Sequence, residues 1–194
     1  MACPLPADCL DLDAHALSEA LHARDLSCRE LMLATLQRIE QENPQFNAIV
    51  NLAAPERLLA QADERDQELD QGQSRGWMHG MPQAIKDLAN AQGFPTTLGS
   101  PLLKQAYPAQ DCLMVQRMKA AGCIVIGKTN TPELGLGSNT FNRLFGRTAN
   151  AWDPTVTAGG SSGGAAVALS RRMLAVADGP DFMGSLRNPA GWNH

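Results

Sequence analysis

Apolar residues recur at helical spacing through the first third of the chain. In "DLSCRELMLATLQRIEQENP", Leu31, Met32, Leu33, Leu36 and Ile39 fall on or beside one face of a 3.6-residue repeat. Ser27 and Glu30 form a capping box that starts this helix. Asn43-Pro44 should end it, because a proline pushes the residue before it out of the helical region. A shorter helix, "DAHALSEALHA", precedes it with Asp13 at its start, and a highly charged one, "PERLLAQADERDQELDQG", follows and ends near Gly72. Between these two longer helices "NAIVNL" reads as a short strand.

The rhythm then changes. "MPQAIKDLA" and "CIVIGKT" read as buried strands flanking a helix from about Asp111 to Ala121, stopped by Gly122. From Asn139 to Gly160 there is hardly any regular pattern; Gly163 to about Arg172 reads as a helix, and "MLAVAD" after it as an apolar strand. The alternation predicts an α/β fold: a helical region over residues 1–70 packed on an α/β core over residues 71–194. No repeat, low-complexity segment or linker interrupts it.

Composition narrows the function. The 194 residues are 44% hydrophobic and 19% charged, ordinary for a globular protein able to bury about 70% of its unfolded surface. A net charge of -4 and a pI near 5.5 come without a basic block, which points away from nucleic acid and anionic membranes and toward a small-molecule partner. The start, "MACPLPADCLDLDAH", has no cationic or apolar leader and no stretch approaches a membrane span, so a cytoplasmic location is expected. Cys3, Cys9, Cys28, Cys112 and Cys123 are odd in number and lack metal-site spacing; they are expected to be thiols, with no metal bound.

"TAGGSSGGAAVAL" is the stretch with most chemical promise. It satisfies G-x-S-x-G around Ser161, but a nucleophile elbow needs a strand leading in and a histidine arriving later. The lead-in is a Trp-Asp-Pro turn, and the sole later histidine is His194. A flexible linker is countered by the apolar "AAVALSRRMLAVAD" that follows, which should be packed. The glycines are better read as letting backbone approach closely at a helix start. "GCIVIGKT" matches the letters of a phosphate-binding loop, but its strand and helix are in inverted order, so it reads as a buried strand ending in an exposed turn. His15, His22 and His79 lack an orienting carboxylate nearby. As a base for a serine, the sequence offers Lys86, set in a strand that looks buried, where desolvation would favour the neutral amine; an outward, solvated side chain is the alternative.

Three segments in order, "GMPQAIKDL", "GGSSGGAAVAL" and "DFMGSLRNPAG", resemble the motifs of the amidase signature family, and "VIGKTNTPEL" and "GRTANAWDP" support the resemblance. It implies a mixed β-sheet flanked by helices and a Ser-Ser-Lys triad: Lys86 as base, Ser161 as the middle serine preceded by a cis peptide, and Ser185 as nucleophile. The 24 residues from Ser161 to Ser185 (185 - 161) agree with the family's interval. Backbone N–H groups of Phe182, Met183, Gly184 and Ser185 would form the oxyanion hole, with Gly160, Ser162, Gly163 and Arg187 in support. The family usually carries two glycines before its nucleophile; here the first is Met183. Asp87, beside the lysine, would orient the relay or be solvated.

The implied activity is hydrolysis of a carboxamide through a serine acyl-enzyme, without cofactor or metal. The expected partner is a small amide, with a homodimer left open as the assembly. Family members run on well past the position of His194, so the chain is expected to hold the N-terminal part of the fold. The alternative is an inactive, shortened chain that serves as a binding module or is unstable.

Overall fold

The computed structural model describes residues 9–194; Cys3 and the first eight residues lie outside it. Three helices lead: α1 (Ala14–Ala23), α2 (Cys28–Phe46) and α3 (Pro55–Asp70). Each starts where its chemistry dictates. Asp13 caps α1 by accepting from Ala16 N at 2.8 Å, the Ser27–Glu30 capping box opens α2, and Pro55 at the first position of α3 has no donor to leave unpaired.

Helix α2 runs through Pro44 to Phe46 rather than stopping before it. A proline in the last turn forfeits one hydrogen bond, to the carbonyl of the exposed Glu40. Asn43 then secures the exit: its Oδ1 accepts from Ala48 N and Ile49 N, and its Nδ2 donates to Ile49 O at 2.8 Å. Leu31, Met32 and Ile39 are buried, whereas Leu33 on the flank of that stripe is exposed.

The central sheet has the order β1-β3-β2, from strands β1 (Ile49–Val50), β2 (Pro82–Lys86) and β3 (Ile124–Thr129). β2 runs parallel to β3 and β1 antiparallel to it, so the sheet is mixed. Between Gln83 and Ala84 the register slips, leaving Ile126 without a direct partner. Every residue of β2 and β3 is buried because the sheet is covered on both faces. Ala84, Ile124 and Ile126 face the core made with α1 to α3 and α5 (Gly163–Ser170). Ile85 and Val125 face a second core with Val115 of α4 (Leu113–Ala120). The N-terminal helices thus pack on the sheet, and Ile49–Val50 adds an edge strand to it.

Two other expectations shift. The unpatterned stretch before Gly160 holds a small hairpin, β4 (Phe141–Asn142) with β5 (Gly146–Arg147). "MLAVAD" is not a strand: Met173 to Val176 pass Met81 and Pro82 without pairing. At its end the Asp178 carboxylate, not a strand carbonyl, takes the free Lys86 N–H at 3.0 and 3.2 Å. A last helix, α6 (Arg187–Asn193), closes the described chain.

Candidate active site

Lys86 ends β2, where the parallel pair places it beside Thr129, and its side chain is wholly removed from solvent. Its Nζ lies 2.8 Å from Ser161 Oγ and 2.7 Å from Ser162 Oγ. Burial pushes the Lys86 ammonium down to about 8, while the charge of Asp178 resists that shift. An amine at that value supplies an appreciable neutral fraction near pH 7. The solvated alternative for Lys86 is therefore ruled out by its surroundings.

The serines arrive on a turn that opens α5, with a cis peptide between Gly160 and Ser161. Glycine is required just after them. A Cβ at Gly163 would collide with Thr140 Oγ1, and one at Gly164 with Asn130 N. Thr131 Oγ1 fixes the turn further by donating to Ser161 O at 3.2 Å.

Ser185 joins through its backbone, its carbonyl accepting from Ser162 N at 3.0 Å. Its hydroxyl donates to Phe182 O at 2.8 Å, so in this arrangement Lys86 is bonded to Ser161 while Ser185 Oγ is committed to a loop carbonyl. A rotamer change of Ser185 separates this state from a continuous relay.

Phe182 and Met183 are more than four-fifths exposed, and the N–H of Gly184 is taken by Asp181 Oδ1 at 2.7 Å. Arg187 holds Asp181 from the other side at 2.5 Å and keeps its carboxyl below the usual carboxylate range. Met183 stands in the left-handed region at φ 58, the conformation a glycine there would adopt freely. Met183→Gly should therefore hold or raise the thermal midpoint, while Met183→Val should lower stability by about 2 kcal/mol through strain. Melting curves of the two variants check this; a valine variant as stable as the parent contradicts it.

Three charges near Lys86, two of them wholly buried and the third, Asp178, half-buried, change the sequence picture. Asp87 is not solvated: it is wholly buried and accepts from Thr97 N, Thr97 Oγ1 and Gly99 N. Lys128 does not sit in an exposed turn but inside β3, its Nζ 2.6 Å from Ala89 O and 3.7 Å from Asp87 Oδ1. Burial raises the Asp87 carboxyl and lowers the Lys128 ammonium, and their mutual attraction opposes both shifts. Asp178, raised by burial as well, is the third. A charge inside an apolar run, as in "CIVIGKT" and "MLAVAD", was the available signal for two of the three.

Among the described residues no three His, Cys, Asp or Glu side chains converge as metal ligands. Burial pushes the thiols of Cys28 and Cys123 up to about 12.

A family model described as Amidase matches residues 30–194. A glutamyl-tRNA(Gln) amidotransferase subunit of Cyanothece sp. is 39% identical over 176 residues, which is 91% of this chain and 36% of that protein. The peptide amidase of Stenotrophomonas maltophilia superposes with a TM-score of 0.87 at 34% identity, over 94% of this chain and 39% of that one. A fatty acid amide hydrolase superposes at 0.92 with 26% identity, over 98% and 33%. The chain thus spans little more than a third of the length of relatives it matches.

Proposed function

The chain belongs to the Amidase family, and from that premise we propose that it hydrolyses the C–N bond of a carboxamide through an acyl-enzyme on Ser185. One observation carries the reading: the amine of Lys86, sealed from solvent, lies 2.8 Å from the hydroxyl of Ser161. A serine hydroxyl attacks an amide only when a base removes its proton, and here the base is the neutral amine.

In the proposed sequence Ser185 Oγ leaves the Phe182 carbonyl and turns to Ser161. Its proton passes to Ser161 as the proton of Ser161 passes to Lys86, and the freed oxygen attacks the amide carbon. Backbone N–H groups of the Phe182–Ser185 loop receive the oxyanion; that of Gly184 joins them once Asp181 releases it. The proton returns along the same path to the nitrogen, the C–N bond breaks, and the amine departs. Water then repeats the steps on the ester and frees Ser185. The substrate class is a small carboxamide, in line with the peptide amidase and fatty acid amide hydrolase neighbours. The acidic composition and the thiols support a cytoplasmic setting.

A serine-directed fluorophosphonate should modify Ser185, located by peptide mass, and Ser185→Ala should take no label there. Folded protein that stays unmodified at Ser185 rejects the reading in favour of a binding role.

A further inference from the structure

A second site lies at the opposite end of the sheet. Ile124 and Val125, which open β3, and Cys123 just before them line a cavity of about 200 Å³. Ile124 and Lys128 are four residues apart, so the strand rise separates this cavity from the lysines by about 13 Å.

Its lining is cationic in a chain whose net charge is -4. Arg57, Arg65 and Arg75 converge on it with Lys119, and Gln61 and Gln92 complete the polar edge. Two carboxylates engage three of these four cations: Glu68 bridges Arg65 and Arg75 at 2.5 Å each, and Asp111 holds Lys119 at 2.8 Å. Glu64 acts on Arg75 only through space. Arg57 has no carboxylate partner among the described residues; its guanidinium rests over the Phe94 ring, 5.5 Å from the centroid. The buried Nε of Arg65 has no hydrogen-bond partner among the described residues.

We propose that this cavity binds a small organic phosphate, its dianionic head between Arg57 and Arg65 and its apolar body against Phe94, Ile124 and Val125. Four cations against two contacting carboxylates leave a surplus of two, which a phosphate monoester dianion neutralises. The planar fork of Arg57, placed over Phe94, can present paired N–H groups to two oxygens at once. A cavity of about 200 Å³ suits a small molecule. The site is independent of Ser185 and of the reaction proposed there.

Calorimetric titration of the full chain with phenyl phosphate at low salt tests it. Saturable one-to-one binding is expected, weakened about tenfold or more in Arg57→Ala, less in Arg57→Lys, and unchanged in Arg29→Ala, an exposed arginine on α2. Because Arg57 is exposed, its removal should leave the melting curve in place. Absence of saturable binding, or equal affinity in Arg57→Ala, overturns the proposal. Phenol binding as tightly as phenyl phosphate removes the role of charge, and inorganic phosphate doing so removes that of the apolar wall.

Discussion

Replacing Lys86 by methionine is expected to slow acylation of Ser185 by about 10²–10⁴-fold while the chain stays folded, the range a positioned base contributes. The substitution keeps the length of an unbranched side chain and removes only the amine that touches Ser161 and Ser162. In the parent, labelling should climb as pH rises through about 8, because the neutral amine is the active form and its ammonium is held there by burial. A stability effect accompanies the kinetic one. The folded state holds the Lys86 proton less tightly than the unfolded chain, whose lysine titrates at 10.5. Between about 8 and 10.5 the unfolded state therefore binds more protons, and this residue's contribution makes stability rise with pH across that window, by about 3 kcal/mol in all. Lys86→Met lacks that rise. Subtracting its denaturation profile from the parent's isolates the lysine from Cys28 and Cys123, which titrate nearby with the opposite sign. A variant that labels at the parent's rate, or a difference profile flat over the window, refutes the assignment of Lys86 as base.

Periodicity and caps revealed the helices, since Asp13, Ser27–Glu30 and Pro55 act within a few residues of themselves. The two long strands were legible as apolar runs. What escaped depends on partners distant in sequence. Pro44 stays inside α2 while Asn43 reaches forward to Ala48 and Ile49, and at the end of "MLAVAD" the Asp178 side chain takes the Lys86 N–H in place of a strand carbonyl. The site residues were legible through motif resemblance more than through pattern. Nothing local told that Lys86 is sealed, that Ser162 shares its amine, or that Ser185 rests on Phe182. Likewise Arg57, Arg65, Arg75 and Lys119 form no basic block in sequence; three-dimensional convergence alone makes them one surface.

In the proposed mechanism the neighbouring charges would keep Lys86 reactive without stranding it. Asp87 stands near Lys86 and Lys128 in a dry region and the half-buried Asp178 at its edge, two carboxylates against two amines. Asp87 is committed to Thr97, Gly99 and Lys128, while Asp178 anchors the backbone of Lys86 rather than its amine. Lys86 Nζ is thus left with hydroxyl partners alone, which satisfy the neutral form and exert no strong pull toward the ammonium.

Gly164→Ala should be the most damaging small substitution in the chain. Its added methyl meets backbone on every side: it would collide with Asn130 N and lie 2.6 Å from Ala48 O and 2.7 Å from Asn130 O. Those atoms already form hydrogen bonds that tie the end of β3 to the approach of β1, Asn130 N to Ala48 O at 2.9 Å, and α5 to both, Gly164 N to Asn130 O at 3.3 Å. Backbone cannot rotate aside as a side chain can, so α5 must retreat by about 1 Å to restore ordinary contact. Its apolar body is packed in the main core, and overpacking there costs about 3 kcal/mol or more. Retreat of α5 also carries Ser161 and Ser162 off Lys86, so Ser185 labelling should fall even in whatever fraction stays folded. Gly191→Ala is the matched control: it lies in α6 with nothing within 4 Å of the new carbon, and should be neutral or stabilising by less than about 1 kcal/mol. Thermal melts of the two variants should lie far apart; if Gly164→Ala melts with Gly191→Ala and the parent, α5 does not lean on Asn130 as described.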